Sequence, residues 1–444
     1  MILRRQDRSL SCAARLFYFL YTLLYCSGLA CLFPFEYLKR PKEARGRWKK
    51  ERFGFYTLPG ASDGGAAAGP LRIWVHAVSV GEAAAAVPLI RKIRQALPAA
   101  GIVLSTVTDT GQKIARERAG DMAEVVYAPF DLPFSLRTAV ERLRPSLFLI
   151  METELWPNAV RVVSGSGIPV ALVNGRISDR SFRGYRKVRF FMREVLGRVR
   201  LFCMQDDVYA ERVRGLGARP ERVLSVGSFK FDTKPSSPPP LWTERLQGPV
   251  VIAGSTHRTE EDLVLDAYER ARGAFPGLNL ILAPRHPERF REVEELLLKR
   301  GLGHVKRSGM AHGPDAPGLP LSGQVILLDV MGELSSVYGA ADIAVLGGSF
   351  IGHGGQNPLE PAWWGKAILC GPHMENFPFI GDFYREGGAV RVDAGSLPAV
   401  LLELLGSPAR RRALGGKAQE LYRRSAGAVD RALEQVVQLL PPRE

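Results

Sequence analysis

The chain has 444 residues, 46% of them hydrophobic, which is enough for two domains with separate cores and too long for one compact domain. A formal charge of +15 draws it toward something acidic: nucleic acid, an anionic lipid surface or a phosphorylated substrate. No run of Lys and Arg interleaved with aromatics in an RNP-like or zinc-finger pattern occurs, which counts against nucleic acid. Five cysteines, with Cys12, Cys26 and Cys31 in one apolar segment, supply neither a disulfide framework nor C-x-x-C metal spacing, so the body of the protein is expected in a reducing cytosol.

Residues 16–35 contain no charge, a length that matches the roughly 20 residues of a membrane-crossing helix. No small-residue cleavage site follows. Lys39, Arg40, Lys42, Arg45, Arg47, Lys49, Lys50 and Arg52 come next instead, against Arg4, Arg5 and Arg8 on the other side. The positive-inside bias then places the body of the chain on the cytoplasmic side. Residues 1–47 are read as a membrane anchor with a basic flank, seated on anionic lipid. Tyr18, Tyr21 and Tyr25 recur at helical spacing and suit a membrane interface, while Ser27, Gly28 and Pro34 weaken the segment as a span, so crossing the bilayer and lying in one leaflet both stay open.

Residues 59–70 are rich in Gly and Ala and read as a loop. Strands are then predicted over 73–77, 102–107, 124–127, 147–151, 170–173, 201–204 and 223–226, with helical periodicity between them, for example over 89–97 and 139–143. This alternation predicts a parallel sheet with helices on both faces, in a first domain over 48–233. The proline cluster of residues 234–242 reads as a semi-rigid linker. Beyond it the pattern resumes over 243–444, with strands at 250–253, 278–282, 325–328, 343–346 and 367–369 and helices at 261–272 and 288–300. The tail over 408–440 is helical in pattern and counted with this second domain, although in proteins of this build such a tail often packs back across to the first. Two doubly wound domains leave a cleft at the carboxyl ends of their sheets, where ligands bind.

Those strand ends carry the polar motifs. Glu82 follows the turn Ser79-Val80-Gly81 at a helix start, where the dipole favours a carboxylate; it is a candidate general base or an ordinary helix-start residue. Glu152 follows the strand over 147–151, and Lys230 follows the one ending at Val226. In the second half, Pro284-Arg285-His286 ends the strand over 278–282, and a guanidinium can grip an anion through two hydrogen bonds. Met331-Gly332-Glu333 is either a turn whose backbone pairs with a nucleobase or a plain helix start. The run GGSFIGHGGQNPLEP over 347–361 is Gly-rich and leads into a predicted helix opening at Asn357 and Glu360, a place for phosphate. No D-x-D occurs, the seven histidines are scattered without ligand spacing, and Gly352-His353-Gly354 lacks the dinucleotide fingerprint. Neither a metal nor a nicotinamide cofactor is expected.

Taken together, HAVSVGE at 76–82, ETELWP at 152–157, VGSFKFD at 226–232, AGSTH at 253–257, APRHPE at 283–288 and NPLEP at 357–361 resemble the transferases of 3-deoxy-D-manno-octulosonic acid (Kdo) in lipid A biosynthesis. The likeness runs in the family's order from about Trp48 to the last helix. It implies a GT-B fold, CMP-Kdo as donor, a phosphorylated lipid A precursor as acceptor, inversion at the anomeric carbon, no metal and no cofactor, at the cytoplasmic face of the inner membrane. It further implies Glu82 as general base, Glu152 and Lys230 as transition-state stabilisers, and Pro284, Arg285, Met331, Gly332, Glu333, Asn357, Pro358, Leu359 and Glu360 as the nucleotide site. The rival readings are an epimerase or transferase of the same fold acting on a UDP sugar, and a non-catalytic membrane scaffold that senses nucleotide.

Overall fold

The computed structural model describes residues 11–57, 71–232, 235, 237–310 and 320–441. Arg4, Arg5 and Arg8, the Gly/Ala-rich loop at 59–70, Lys234 and Ser236 of the linker, and His312 lie outside the described residues. The chain forms two compact units, one comprising the residues through Asp232 together with those from Ala426 onward, the other Thr233–Ser425.

Unit 1 opens with two helices, α1 (Cys12–Leu38) and α2 (Lys42–Arg52). Strands and helices then alternate as β1 (Arg72–His76), α3 (Val80–Ala96), β2 (Gly101–Thr106), α4 (Asp109–Ala119), β3 (Glu124–Tyr127), α5 (Pro133–Leu143), β4 (Leu147–Met151), α6 (Pro157–Gly165), β5 (Val170–Gly175), α7 (Asp179–Lys187), α8 (Arg189–Gly197), β6 (Leu201–Met204), α9 (Asp207–Leu216) and β7 (Val223–Ser225). The strands form one sheet in the order β3-β2-β1-β4-β5-β6-β7, parallel throughout. Both faces of this sheet are buried, so its strands read as near-continuous apolar runs such as LFLIM in β4. The order reverses between β1 and β4, which pair with Val75 opposite Leu149. Side chains at the carboxyl ends of those two strands therefore flank the crevice of a doubly wound sheet.

Unit 2 repeats the plan with β8 (Val250–Thr256), α10 (Glu260–Ala274), β9 (Asn279–Pro284), α11 (Phe290–Lys299), β10 (His304–Lys306), β11 (Val325–Leu327), α12 (Leu334–Val337), β12 (Ile343–Leu346), α13 (Leu359–Trp363), β13 (Ala367–Cys370), α14 (Ile380–Glu386), β14 (Val390–Arg391), α15 (Leu397–Gly406) and α16 (Pro408–Ser425). Its sheet has the order β10-β11-β9-β8-β12-β13-β14, with the reversal between β8 and β12. The last helix, α17 (Ala428–Val437), belongs to unit 1 and corrects the assignment of the whole stretch 243–444 to the second domain. Ala428, Val429, Ala432, Leu433 and Val436 enter the same core cluster as Ala83 and Ile90 of α3. Asp232 accepts hydrogen bonds from the N–H groups of Gly427 and Val429, capping α17 from a distant part of the chain.

The amino-terminal helix differs from a free anchor. Tyr18 is fully buried, and the expected interfacial role of the three tyrosines is replaced by contacts within unit 1. Tyr21 donates to Asp131 at 2.7 Å, Tyr25 accepts from the Asp131 N–H at 3.2 Å, and Thr22 accepts from the Asn158 side chain at 2.9 Å. Asp131 also accepts from the N–H groups of Asn158 and Ala159, at 3.2 and 2.7 Å. It thereby caps α6, whose own N-cap Trp156 offers no side-chain acceptor. Burial nevertheless pushes the Asp131 carboxyl up to about 6. Further along, Phe33 and Tyr37 pack on Trp48, and Phe33 also meets Phe130. The opposite face leaves Leu24 74% and Phe35 73% exposed. Among the described helices α1 is the one long and apolar enough to cross a membrane.

The basic flank is largely consumed inside unit 1. Arg40 and Arg52 are buried: Arg40 pairs with Asp109 at 3.0 Å, and Arg52 donates to the Ala128 carbonyl at 2.6 Å and lies over the Phe130 ring. Arg45 donates to the carbonyls of Leu38 and Arg40, groups that the end of α1 leaves without helical partners.

Candidate active site

In unit 1 the turn after β1 ends at Ser79, which caps α3. Ser79 donates its hydroxyl to one Glu82 carboxylate oxygen at 2.8 Å, and the other oxygen accepts from the Val78 N–H at 2.8 Å. This is a capping-box arrangement shifted by one residue, and it holds a nearly buried carboxylate in one orientation. Each oxygen keeps a further lone pair for a substrate hydroxyl.

Glu152 lies at the carboxyl end of β4 with φ +53°, a left-handed conformation that costs a non-glycine residue about 1–3 kcal/mol and persists only where the surroundings enforce it. Its N–H bonds to the Val173 carbonyl at 3.0 Å, and its carboxylate accepts from Arg176 Nε at 2.7 Å. Burial raises the Glu152 carboxyl, Arg176 lowers it, nearby Glu82 raises it and Lys230 lowers it. Lys230 is lowered by burial and raised by Glu152. Glu82, Glu152, Arg176 and Lys230 therefore act on one another as one group of charges.

Lys230 sits in the 3-10 turn Phe229–Asp232. Asn174 fixes that turn by accepting from the Phe229 N–H at 3.0 Å, while Asp232 is tied to the start of α17. Glu154 accepts from the Trp156 indole at 2.7 Å. Arg176 is the group that sequence reading missed. Its one signal is its place as the first residue after β5, the strand next to β4.

In unit 2 the loops after β8 and β12 meet at the sheet reversal. A Cβ on Gly347 would come within 2.2 Å of the Ser255 carbonyl, so only glycine fits there, and Gly348 takes φ +65°. Glu260, 1% exposed, accepts from the N–H groups of Gly348 at 2.7 Å, Phe350 at 3.0 Å and His257 at 3.0 Å. Within the run expected to hold phosphate, the amides at 348 and 350 are thus already bound by a carboxylate. The helix expected from Asn357 shortens to the five residues of α13, and its Leu359 N–H bonds to Asn357 Oδ1 at 3.1 Å. Asn357 also reaches Glu360 at 3.4 Å. Pro358 and Leu359 are buried supports for this pair.

Exposed Arg285 follows Pro284, the last residue of β9, and its N–H bonds to the Thr256 carbonyl at 2.9 Å. The histidines read as scattered converge here: His257 stacks on His353 with ring centroids 4.7 Å apart and meets His286 edge-on at 5.7 Å. Burial lowers His257 to about 4, helped by His353, His286, Arg289 and Arg285. Met331 is exposed and Gly332 takes φ +90°. The Glu333 side chain is held by both arms of Arg307, at 2.8 and 2.9 Å, and by the Trp242 indole at 3.3 Å. What this turn presents to a ligand is its backbone and Met331. Among the described residues no group of His, Cys, Asp and Glu side chains is arranged to hold a metal ion.

Two Rossmann-like parallel-sheet units, each with charged loops at its strand ends, define a protein of the GT-B fold class. In fold the chain is similar to a UDP-GlcNAc 2-epimerase from Neisseria meningitidis (TM-score 0.56, 11% identity, 83% of this chain and 100% of that one). It is similar as well to the glycosyltransferase of kitacinnamycin (TM-score 0.50, 15% identity, 84% and 99%).

Residues 47–233 match the family model described as 3-deoxy-D-manno-octulosonic-acid transferase (kdotransferase). A relative of that description in Haemophilus influenzae is 35% identical over 431 residues, covering 94% of this chain and 97% of the relative. The chain belongs to the Kdo transferase family.

Proposed function

We propose that this transferase moves Kdo from CMP-Kdo to a hydroxyl of a phosphorylated lipid A precursor, with inversion, at the cytoplasmic face of the inner membrane. Glu82 takes the proton of the acceptor hydroxyl as that oxygen attacks the anomeric carbon. Glu152 faces the positive charge that develops on the sugar, and Lys230 offsets the negative charge that grows on the departing CMP. Arg176 keeps the Glu152 carboxylate in place. Arg285 binds the phosphate, the backbone of the turn Met331-Gly332-Glu333 pairs with the cytosine edge, and Asn357 with Glu360 holds the remaining polar groups of the nucleotide, Glu360 at the ribose hydroxyls. Pro284, Pro358 and Leu359 shape the walls.

The observation that carries this reading is the set of interacting charges Glu82, Glu152, Arg176 and Lys230, in which Glu82 and Glu152 follow the two strands that border the β1/β4 reversal. A structural ion pair alone would not require Glu152 to hold a strained backbone. The test is incubation of the purified protein with CMP-Kdo and tetraacylated lipid A precursor, followed by mass spectrometry of the lipid. Each added Kdo appears as a fixed mass increment. No increment under conditions where the protein binds CMP would favour the nucleotide-sensing scaffold, and turnover of a UDP sugar alone would favour the epimerase-like rival.

Attachment to the membrane runs through α1, lying in one leaflet. One face of it packs on or hydrogen-bonds to unit 1 from Tyr18 through Tyr37, which at 1.5 Å per residue is about the thickness of the hydrocarbon core. No stretch long enough to cross is left over. Leu24→Asp with Phe35→Asp should release the protein from vesicles of neutral phospholipid without unfolding it. Full retention would remove α1 as the attachment.

A further inference from the structure

We propose that α7 and the start of α8 form a basic ridge that docks anionic phospholipid headgroups, and that this ridge, rather than the basic run after α1, supplies the electrostatic part of membrane attachment. The inference rests on the reading that α1 lies in a leaflet.

Helix α7 has no buried residue. Phe182 and Tyr185 turn toward the unit 1 core, and Arg180, Arg183, Arg186 and Lys187 are exposed, followed by exposed Arg189 and Arg193 in α8. Within residues 179–193 the one acidic side chain is Asp179, which already pairs with Arg212. Among the described residues none of the six cations has an ion-pair partner. Six like charges held on two short helices repel one another, and an anionic surface relieves that repulsion.

The apolar residues among the charges name the partner. Val188 and Phe190 are 36% and 51% exposed between Lys187 and Arg193. Phe190 packs edge-on against Phe17 of α1 at 4.4 Å, and neighbouring Phe191 packs on Tyr18 at 5.0 Å. The ridge is therefore continuous with the helix whose Leu16, Phe19, Leu20, Leu23 and Leu24 face outward. Cations interleaved with an aromatic, joined to an apolar helix face, match the boundary between headgroups and acyl chains. A nucleic acid would gain nothing from the apolar half. By contrast, the run after α1 retains only Lys42, Lys49 and Lys50 as exposed cations without a partner among the described residues.

The experiment compares two sets of three charges in the full chain by flotation with vesicles. One variant is Arg183→Gln/Arg186→Gln/Lys187→Gln; the other is Lys42→Gln/Lys49→Gln/Lys50→Gln. On vesicles of phosphatidylcholine with phosphatidylglycerol, the first should lose partition on the order of 10²-fold, about fivefold per cation, and the second less than about threefold. A variant with Arg183→Lys/Arg186→Lys should bind as the parent does, and the difference should collapse at 1 M salt. On pure phosphatidylcholine all should bind equally, since that binding reports α1 alone and keeps the two readings apart. Equal losses from both sets, or none from the ridge set, would overturn the proposal. So would unchanged partition with a raised KM for the phosphorylated acceptor, or with lost retention on RNA.

Discussion

The two units carry the same local design at the same place and use it in opposite ways. In each, a Ser stands at the end of the first strand of the central pair and a glutamate lies in the first turn of the following helix: Ser79 just past β1 with Glu82, and Ser255 in the last two residues of β8 with Glu260. Glu82 spends its carboxylate on its own turn, on the Val78 N–H and the Ser79 hydroxyl. Glu260 turns inward and binds two amides of the loop after β12 together with the His257 N–H. Unit 1 thus presents carboxylates where β1 and β4 end. Unit 2 hides its carboxylate under the glycine loop and presents Arg285 and imidazoles instead. A helix-start glutamate becomes available or structural according to which donors the neighbouring strand brings, and that is a property of sheet order.

The largest effect that separates the two glutamates is on stability. Glu260→Ala leaves the buried N–H of Gly348 and the half-buried N–H groups of Phe350 and His257 without their acceptor, at about 1–3 kcal/mol for the first and less for the other two, so urea melts should show a loss of about 2–6 kcal/mol. Glu260→Gln keeps one acceptor oxygen and should lose less. A melt within 1 kcal/mol of the parent would mean that the clamp is not structural.

Glu82→Gln should do the reverse. It retains the shape of the turn but cannot accept a proton, so turnover should fall by about 10²–10⁴-fold, with CMP affinity unchanged and a stability loss of about 0.5–2 kcal/mol for the weakened cap. Near-parent turnover would move the base to Glu152.

In unit 2, Glu360→Ala should weaken CMP binding by about 1–3 kcal/mol, since it leaves a ligand hydroxyl and the Asn357 amide short of a partner. Calorimetry with unaltered affinity would take Glu360 out of the site.

The smallest effect is a pH dependence. His257 is held down to about 4 from 6.5, so the unfolded chain takes up this proton first. The stability the neutral ring contributes is complete above about pH 6.5 and is lost as the pH falls toward 4. His257→Gln should flatten that acid limb in urea midpoints measured across the window. An unchanged limb would show that the imidazole cluster does not titrate as its burial requires.

Much of this comparison was legible in the sequence. Apolar runs of four to seven residues alternating with helical periodicity announce parallel strands buried on both faces, and a polar residue just after such a run sits at a strand's carboxyl end. Glu82, Glu152 and Arg285 were found that way, because the distance from strand to site residue is only a few positions along the chain. Arg176 escaped because nothing local distinguishes it from any exposed arginine; it matters through β5 lying beside β4.

The amino acids by themselves therefore determined the two-sheet α/β build, the apolar helix near the amino terminus and the motifs of a Kdo transferase, all of which follow from patterns within one element or one turn. Tertiary structure alone decided what each charge faces. It buried Arg40 and Arg52, left the cations of α7 outside, gathered His257, His286 and His353 from three loops, and returned α17 to unit 1. Hydrogen bonds and ion pairs act over about 3 Å, whereas these partners lie tens to hundreds of residues apart. Only the order in which strands enter the sheet brings them within that reach.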